Sequence, residues 1–252
     1  MKAMILAAGL GTRLRPLTND RPKALVTVAG YTLLEIALCR LRPFGVTEVI
    51  VNAHHYAEMI VGYLKANDDF GMRIEVSCEE ELLDTGGGLK KAGHFLGGDL
   101  REPFILHNVD VISAIDLGCM MRFHTERDAL VTLAVQDRAT SRYLLFDEHG
   151  QLCGRRAGHA AKAEDGQDEL VRPAAMVQAL AFSGIHIISP QIFAKMEEEG
   201  AFSIITAYLR LAAQGEKIVA FRADESYWRD LGRPESILQA EQDLASGKYS
   251  IT

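Results

Sequence analysis

The sequence has few cysteines, a single tryptophan and no long apolar run. Its four cysteines are widely spaced and form no C-x-x-C pair, so the spacing of neither a zinc site nor a disulfide framework is present. No stretch approaches the roughly 20 apolar residues that a membrane span requires. The apolar start runs directly into Arg13 and Arg15 without a signal-peptide cleavage pattern. We therefore expect a cytoplasmic protein that does not associate with membranes.

Basic residues are in the minority, with 27 Lys and Arg against 34 Asp and Glu and a formal net charge of -7. The pI near 5.6 argues against broad nucleic-acid binding, which needs a basic face. The composition is typical of a globular protein, and 252 residues suffice for one large domain or two small ones. One early stretch nevertheless concentrates Arg13, Arg15, Arg21 and Lys23. This local charge indicates an anionic ligand.

Short β-rich apolar runs alternate with amphipathic helical patterns in the first half of the chain. The predicted strands cover residues 3–8, 48–53, 73–78 and 104–112, and the predicted helices lie near 32–45, 57–67 and 115–127. This alternation implies βαβ units, right-handed crossovers and a mostly parallel sheet over at least residues 1–135.

The second half begins less regularly. Its predicted strands are residues 129–135, 143–147, 151–155, 179–188 and 217–223, and its predicted helices start at Ser189 with Pro190, near 204 and after Pro234. Residues 154–172 are polar and predict a mobile surface loop. We expect an α/β protein with a mixed, mostly parallel central sheet flanked by helices. It would form a single domain, 1–252, with halves at 1–135 and 136–252.

The loop after the first predicted strand has the glycines of a phosphate site, because backbone N–H groups can wrap an anion where no Cβ intervenes. The dinucleotide fingerprint and the Walker loop both fail here, since a third glycine and a Gly-Lys-Ser/Thr ending are missing. The pattern present is G-x-G-T-R-L-x-P-x-T-x-x-x-P-K, from Gly9 to Lys23. It resembles the signature of the sugar-1-phosphate nucleotidylyltransferases, which have a Rossmann-like nucleotide-diphospho-sugar transferase fold.

This resemblance implies that the first loop holds a nucleoside triphosphate. Arg13 and Lys23 would be the catalytic cations. Arg13 would direct its planar guanidinium group at the phosphates, and Lys23 would direct its compact ammonium charge at them. The implied nucleotide-binding residues of the loop are Leu6, Ala8, Gly9, Gly11, Thr12 and Arg13. Arg15 and Arg21 are not specified by the signature and are interpreted as solvated loop charges.

A second glycine stretch, Leu82-Leu83-Asp84-Thr85-Gly86-Gly87-Gly88, precedes a helix that we predict to start near Leu89. It resembles the loop of the family that contacts the nucleobase, which implies nucleotide binding by Asp84, Thr85, Gly86 and Gly87. Its form is most similar to N-acetylmuramate-1-phosphate uridylyltransferases and to hexose or heptose guanylyltransferases. The stretch does not determine the base.

Two carboxylates far apart in the sequence are candidate metal ligands. Asp110 ends an apolar strand, where an unpaired carboxylate would be costly. Asp230 lies in Trp228-Arg229-Asp230-Leu231-Gly232, which resembles the W-x-D-[VI]-G element of the family. The resemblance implies that both residues hold Mg²⁺, an ion that takes few protein ligands beside substrate oxygens and water. Val109 replaces the glycine that usually precedes the first of these aspartates.

Phe182-Ser183-Gly184-Ile185 resembles the strand start that faces the sugar in this family, so Ser183 and Gly184 are predicted sugar contacts. The cation for the sugar phosphate stays unassigned, although Lys162 and Glu164 lie in the corresponding region. The adjacent residues His54 and His55 point to opposite faces of a strand and make a poor ligand pair.

The resemblance implies transfer of a nucleoside monophosphate from a nucleoside triphosphate to a sugar 1-phosphate, with release of pyrophosphate. UTP with an N-acetylhexosamine or muramic-type sugar is favoured, for synthesis or recycling of a cell-wall or surface-glycan precursor. A GTP-dependent mannose- or heptose-1-phosphate guanylyltransferase is an alternative. A non-catalytic sugar-nucleotide sensor subunit is another alternative function. A homo-oligomer is compatible with each of these functions.

Overall fold

The computed structural model describes residues 1–98, 102–157 and 167–251. Its central sheet has ten strands: β1 Lys2–Leu6, β4 Glu48–Ala53, β5 Arg73–Cys78, β6 Phe104–Asn108, β8 Val131–Gln136, β9 Arg142–Phe146, β10 Leu152–Ala157, β11 Gln167–Leu170, β12 Gln178–Ile188 and β13 Ile218–Arg222. Two small sheets pair β2 Thr27–Val28 with β3 Tyr31–Thr32, and β7 Val111–Ser113 with β14 Trp228–Asp230.

The helices surround this sheet. The α-helices are α1 Leu33–Leu41, α2 Ala57–Ala66, α3 Asp84–Lys91, α4 Gly93–Leu96, α5 Leu117–Glu126, α6 Ile204–Ala213 and α7 Pro234–Ala245. Short 3-10 helices occupy Thr12–Leu14, Lys23–Leu25, Arg42–Phe44, Asp68–Gly71 and Pro190–Lys195. Within the described ranges, no helix is both long enough and apolar enough to cross a bilayer.

The sheet joins the two halves of the chain through β12. The parallel strands of the first half lie in the order β6-β1-β4-β5, and β12 pairs with β6 in antiparallel orientation. On the other side of β12 follow β9, β10 and β11, while β8 and β13 branch from its second part. In the described part of the chain, β10 and β12 run opposite to the remaining strands of the sheet. The predicted α/β fold with a mixed, mostly parallel sheet is confirmed.

Each face of the sheet is covered by its own apolar cluster. In β1, Ala3 and Ile5 point into the cluster formed with α1, α2, α5 and α7, whereas Met4 points into the cluster formed with α3, α4 and α6. Successive side chains of a strand alternate between faces, and strands buried on both faces therefore read as continuous apolar runs. Such a run made β4 predictable to the residue.

Besides the helix predicted near Leu89, three predicted elements differ in the structure. The run 104–112 is not one strand, because it breaks at Val109 and its second part, β7, pairs with β14 from the far end of the chain. The helix predicted at Ser189 and Pro190 is a 3-10 helix. The loop predicted over 154–172 carries strand residues at both ends, up to Ala157 and from Gln167. Lys162 and Glu164 lie outside the described residues.

The helix predicted to start near Leu89 begins five positions earlier, at Asp84, so Gly86, Gly87 and Gly88 are helical. Glycine is a poor helix former, which is why the sequence indicated a loop. Close packing requires these glycines: a Cβ on Gly86 would lie 2.2 Å from the Phe202 ring, and one on Gly87 would lie 2.3 Å from the Gly200 carbonyl oxygen. Tertiary contact therefore overrides the low intrinsic helix propensity.

Candidate active site

The glycine loop leaves β1 at the carboxyl edge of the parallel strands, where ligands bind in open α/β sheets. Gly11 has a φ of 63° in the left-handed region, and its carbonyl oxygen accepts a hydrogen bond from the Thr18 hydroxyl at 2.8 Å. A Cβ on Gly9 would have no heavy atom within 4 Å, so the backbone there borders open space. Leu6 is half-buried and Ala8 buried, while Thr12 and Arg13 are exposed. The loop is thus folded at Gly11 and open at Gly9.

A buried polar network fixes the root of this loop. The Ala7 N–H donates to the Asn52 side-chain oxygen at 2.8 Å, and the Asn52 amide donates to Glu79 at 2.7 Å. The second carboxylate oxygen of Glu79 accepts from the Leu83 N–H at 3.0 Å. Glu79 is buried and its hydrogen-bonding capacity is used by these donors, as buried polar groups require. Glu79 therefore connects the glycine loop to the start of α3.

Lys23 and Asp110 meet beside the glycine loop. Lys23 opens a 3-10 helix after buried Pro22, and its ammonium group contacts the Asp110 carboxylate. Both side chains are largely shielded from water, with exposed fractions of 12% and 14%. The Val109 N–H donates to the Leu6 carbonyl oxygen at 3.1 Å, so the departure at Val109 extends the pairing of β6 with β1. Two residues predicted to act together are thus in direct contact.

Asp230 is brought to Asp110 by the small sheet of β7 and β14. In this sheet Asp230 lies opposite Val111, and the next residue, Leu231, donates its N–H to the Asp110 carbonyl oxygen at 2.7 Å. One Asp230 carboxylate oxygen accepts from the Gly232 N–H at 2.7 Å. The two predicted metal ligands therefore lie on adjacent backbone segments. In the described part of the chain no cluster of three or more His, Cys, Asp or Glu side chains could hold a metal.

Arg13 reaches this cluster because Gly232 has no side chain. A Cβ on Gly232 would lie 2.8 Å from an Arg13 Nη atom and 2.7 Å from the carboxylate of Asp230. The guanidinium and that carboxylate therefore border the same small volume. The backbone hydrogen bond from Leu231 to Asp110 links this pair to the contact between Lys23 and Asp110. We call these two linked pairs, with two cations and two anions beside the glycine loop, the cluster.

The residues predicted to contact the nucleobase are engaged with the segment before α6. The Gly86 N–H donates to the Phe202 carbonyl oxygen at 2.9 Å, and the Thr85 hydroxyl accepts from the Ile204 N–H at 2.9 Å. Asp84 has a φ of 57° and accepts from the Thr85 N–H. Thr85 and Gly86 therefore hold α3 against α6 in this structure, and nucleotide binding by residues 84–87 stays a prediction.

The two predicted sugar contacts, Gly184 and Ser183, lie in different environments. Gly184 lines the cleft with a φ of 76°, and a Cβ there would lie 2.8 Å from the Val111 side chain and 2.9 Å from the Asn108 amide. Ser183 is fully buried, and its carbonyl oxygen accepts from the indole N–H of Trp228 at 2.7 Å. Gly184 thus borders the space where a ligand can lie, while Ser183 anchors the tryptophan.

Arg13 and Asp230 of the cluster line a cleft of about 1150 Å³ that extends along the second half of the chain. Its arginines are Arg13, Arg138, Arg142, Arg155, Arg156, Arg229 and Arg233. Three of them form ion pairs, Arg155 with Glu169, Arg156 with Asp168 and Arg229 with Asp243. The cleft is therefore basic although the chain carries net negative charge, and it suits a strongly anionic ligand.

Arg138 is a cleft residue that the sequence did not reveal. Its guanidinium carbon lies 3.6 Å from the centre of the Trp228 ring, and one Nη donates to the Phe182 carbonyl oxygen at 2.8 Å. Burial lowers the pKa of Arg138, and the Asp230 carboxylate opposes this effect. Arg138 follows β8 at the edge of the sheet where β6 ends at Asn108, two residues before Asp110. That position at a strand end was the available signal, because no motif surrounds it.

A family model for the nucleotidyl transferases matches residues 2–247. The chain belongs to the nucleotidyl transferase family. The match includes the glycine loop, α3, both aspartates and β12, so the motif-based interpretation of the sequence is confirmed for the family and for its enzyme class. The geometric cluster of Arg13, Lys23, Asp110 and Asp230 lies within the matched region.

Among curated relatives, the chain is 38% identical over 248 residues to an N-acetylmuramate alpha-1-phosphate uridylyltransferase of Caulobacter vibrioides, with 96% of each protein covered. It is 32% identical to the enzyme of the same name from Neisseria meningitidis, covering 92% of this chain and 93% of that protein. A mannose-1-phosphate guanylyltransferase of Mycobacterium tuberculosis is 28% identical over 97% of the chain, which spans 65% of that relative.

The family's fold is also found among solved structures. The crystal structure of HddC from Yersinia pseudotuberculosis matches with a TM-score of 0.77 and 23% identity, covering 96% of this chain and 99% of that one. A UDP-glucose pyrophosphorylase solved with UDP-glucose matches with a TM-score of 0.75 and 18% identity, over 98% of each chain. At these identities the likeness establishes the fold.

Proposed function

We propose that this nucleotidyltransferase transfers UMP from UTP to an N-acetylmuramic-type sugar 1-phosphate, giving a UDP-sugar and pyrophosphate. The observation that carries the proposal is the meeting of Arg13, Lys23, Asp110 and Asp230 at the mouth of the glycine loop. The uridylyl and muramate assignments are supported by the two uridylyltransferase relatives, which match over nearly their whole length. We also propose that the reaction takes place in the cytoplasm.

In the proposed reaction, a phosphate oxygen of the sugar 1-phosphate attacks the α-phosphorus of UTP in line. The new bond joins that oxygen to the α-phosphorus, and the bond from the α-phosphorus to the bridging oxygen breaks, so that pyrophosphate leaves with the electron pair. A phosphate monoester has a second pKa of about 6, so the attacking group is already anionic at neutral pH. No side chain of the protein therefore has to remove a proton from the acceptor phosphate. Its task is positioning and charge neutralisation.

The residues around the cluster suit this task. The open backbone at Gly9 lets the triphosphate approach the loop, and Arg13 and Lys23 supply positive charge to the oxygens of the α-phosphoryl group. The Glu79 network keeps the loop root in place without the ligand, so the donors are set before binding. Nucleobase contact by Asp84 to Gly87 and sugar contact by Gly184 complete the proposal.

Asp110 and Asp230 fit a magnesium ion. Both are oxygen donors on adjacent segments, and Asp110 would share its carboxylate between the ion and the Lys23 ammonium group. When bound, Mg²⁺ would neutralise phosphate charge and polarise the phosphoryl group that is transferred. Two protein carboxylates with substrate oxygens and water are the kind of donor set that this ion prefers.

Pyrophosphate release tests the proposal. Four nucleoside triphosphates are combined with muramic, hexosamine, mannose and heptose 1-phosphates, with magnesium and with EDTA. We expect the highest kcat/KM for UTP with the muramic-type acceptor and loss of turnover in EDTA that excess magnesium restores. Turnover with GTP and mannose 1-phosphate instead would support a guanylyltransferase, and tight binding with no turnover in any combination would indicate a sensor. Either result overturns the proposal.

A further inference from the structure

We propose that Arg138 binds the phosphate of the acceptor sugar 1-phosphate and positions it for attack. This inference rests on the proposed transfer reaction and names the residue for its second phosphate-bearing substrate. Arg13 and Lys23 account for the triphosphate side of the cleft. The acceptor carries its own dianionic phosphate to the same place, and it needs a cation on the other side.

Arg138 lies where that cation is required. It follows β8 in the second half of the chain and reaches the cleft wall formed by Trp228 and Asp230. Asp230 also borders Arg13 through the space at Gly232. Guanidinium groups from both halves of the chain therefore lie near the candidate magnesium ligand. An acceptor phosphate bound by Arg138 would thus be brought close to an α-phosphate bound by Arg13.

The guanidinium of Arg138 is preorganised, and part of it is unused. One Nη bonds the Phe182 carbonyl oxygen at 2.8 Å, and the plane is held over the Trp228 ring, which Ser183 fixes in turn. Its Nε is buried and has no hydrogen-bond partner among the described residues. Such a donor is costly to leave unpaired. The part of the guanidinium that lines the cleft offers a phosphate the fork geometry that arginine provides.

The other arginines of the cleft are less suited to bind the acceptor phosphate. Arg155, Arg156 and Arg229 are paired with carboxylates, as described above. Arg142 and Arg233 are exposed, so water competes for their donors. Arg172 is bound to Asp147 and to the Leu152 carbonyl oxygen, and it does not line the cleft. Arg138 is thus the half-buried cleft arginine without an ion pair within the described ranges.

The test compares Arg138→Gln with Arg155→Gln, which removes the same charge from a paired arginine of the same cleft. Calorimetry measures binding of UTP and, in the presence of a non-hydrolysable UTP analogue, binding of N-acetylmuramic acid 1-phosphate. Steady-state kinetics give KM for each substrate. We expect Arg138→Gln to weaken acceptor binding and raise acceptor KM by about 10- to 100-fold, the usual scale for a charge-assisted hydrogen bond. UTP affinity should change less than about twofold.

Two further measurements separate the alternatives. Arg138→Lys keeps the charge and should recover part of the acceptor affinity, which a purely structural role would not predict. Arg155→Gln should alter acceptor KM by less than about threefold. An equal loss of UTP affinity in Arg138→Gln, or equal effects of the two glutamine variants, would overturn the inference. A wild-type protein that binds the sugar 1-phosphate through Arg138 but releases no pyrophosphate would refute the proposed function alone, whereas wild-type protein without acceptor binding refutes both.

Discussion

The ammonium group of Lys23 contacts the carboxylate of Asp110, 87 positions further along the chain. Lys23 lies on the segment that follows the glycine loop, and Asp110 follows β6, so this contact joins the two parts of the proposed phosphate site. Both groups are largely shielded, and each places an opposite charge in contact with the other. Removing one partner of such a pair costs more than removing both.

This relationship predicts a non-additive result in a double-mutant cycle. Lys23→Met and Asp110→Asn should each lower the free energy of unfolding by about 1–3 kcal/mol, because each leaves a shielded polar group unpaired. The double variant should be more stable than the sum of the two losses allows, with a coupling of about 1–3 kcal/mol. Urea denaturation measures stability, and pyrophosphate release should fall at least about 100-fold in all three variants. Near-normal turnover in either single variant would contradict the site assignment.

Glycine-to-alanine substitution is predicted to have opposite effects on stability in two helices, α2 and α3. Glycine to alanine in a helix ordinarily stabilises by up to about 1 kcal/mol. In α2 a Cβ on Gly62 would have no heavy atom within 4 Å, so Gly62→Ala should show that gain. Gly86→Ala should instead destabilise by about 1–3 kcal/mol, because its Cβ would overlap the Phe202 ring. Thermal and urea unfolding check the two signs, and a gain in both variants would rule out the close α3 packing.

The open backbone at Gly9 predicts a variant that changes binding without changing the fold. Nothing lies within 4 Å of a Cβ built on Gly9, so Gly9→Ala should leave the unfolding midpoint nearly unchanged. The added methyl group would occupy space where the triphosphate approaches the loop, and KM for UTP should rise by about tenfold, on the scale of 1.4 kcal/mol. KM for the acceptor serves as the internal control. An unchanged KM for UTP would show that the triphosphate lies elsewhere.

Buried histidines predict loss of stability at acidic pH. Burial lowers the pKa of His124 and His107 from 6.5 to about 4, and that of His186 to about 3. A group with a lowered pKa in the folded state binds its proton more readily when unfolded. The stability that each neutral imidazole contributes is therefore fully present above pH 6.5 and falls by about 1.4 kcal/mol per pH unit from 6.5 towards 4.

Urea denaturation between pH 7.5 and 4.5 measures this slope, and His186→Phe isolates one contribution. The variant loses the hydrogen bond between His186 and the Tyr208 hydroxyl, so it should be less stable than the wild type at pH 7.5. Its slope below pH 6.5 should nevertheless be smaller by about 1.4 kcal/mol per pH unit. An unchanged slope would show that His186 does not titrate in unfolding.

Two strands of the fold were predicted to the residue, since β4 and β5 coincide with the predicted ranges 48–53 and 73–78. β4 is covered on both faces and reads as an apolar run, whereas the partly exposed β5 alternates polar and apolar residues. β7 was not separable from β6 by sequence, because it is defined by its pairing with β14 near the end of the chain. Long-range pairing leaves no local signal.

Site residues that belong to a sequence motif could be predicted, whereas a site residue outside any motif could not. The loop from Gly9 to Lys23 and the two aspartates have spacings that single them out, and the structure brings Arg13, Lys23, Asp110 and Asp230 together. Arg138 depends on the packing of Trp228 and on the Phe182 carbonyl oxygen, and neither neighbour is close to it in sequence. The helical glycines of α3 were misjudged because local propensity favours a loop.

The join between α3 and α6 ties the predicted nucleobase loop to the second half of the chain. The Thr85 hydroxyl accepts from the Ile204 N–H, and the Gly86 N–H donates to the Phe202 carbonyl oxygen. These two polar groups are therefore already engaged, so a base that used them would have to displace or share the contacts of the segment before α6.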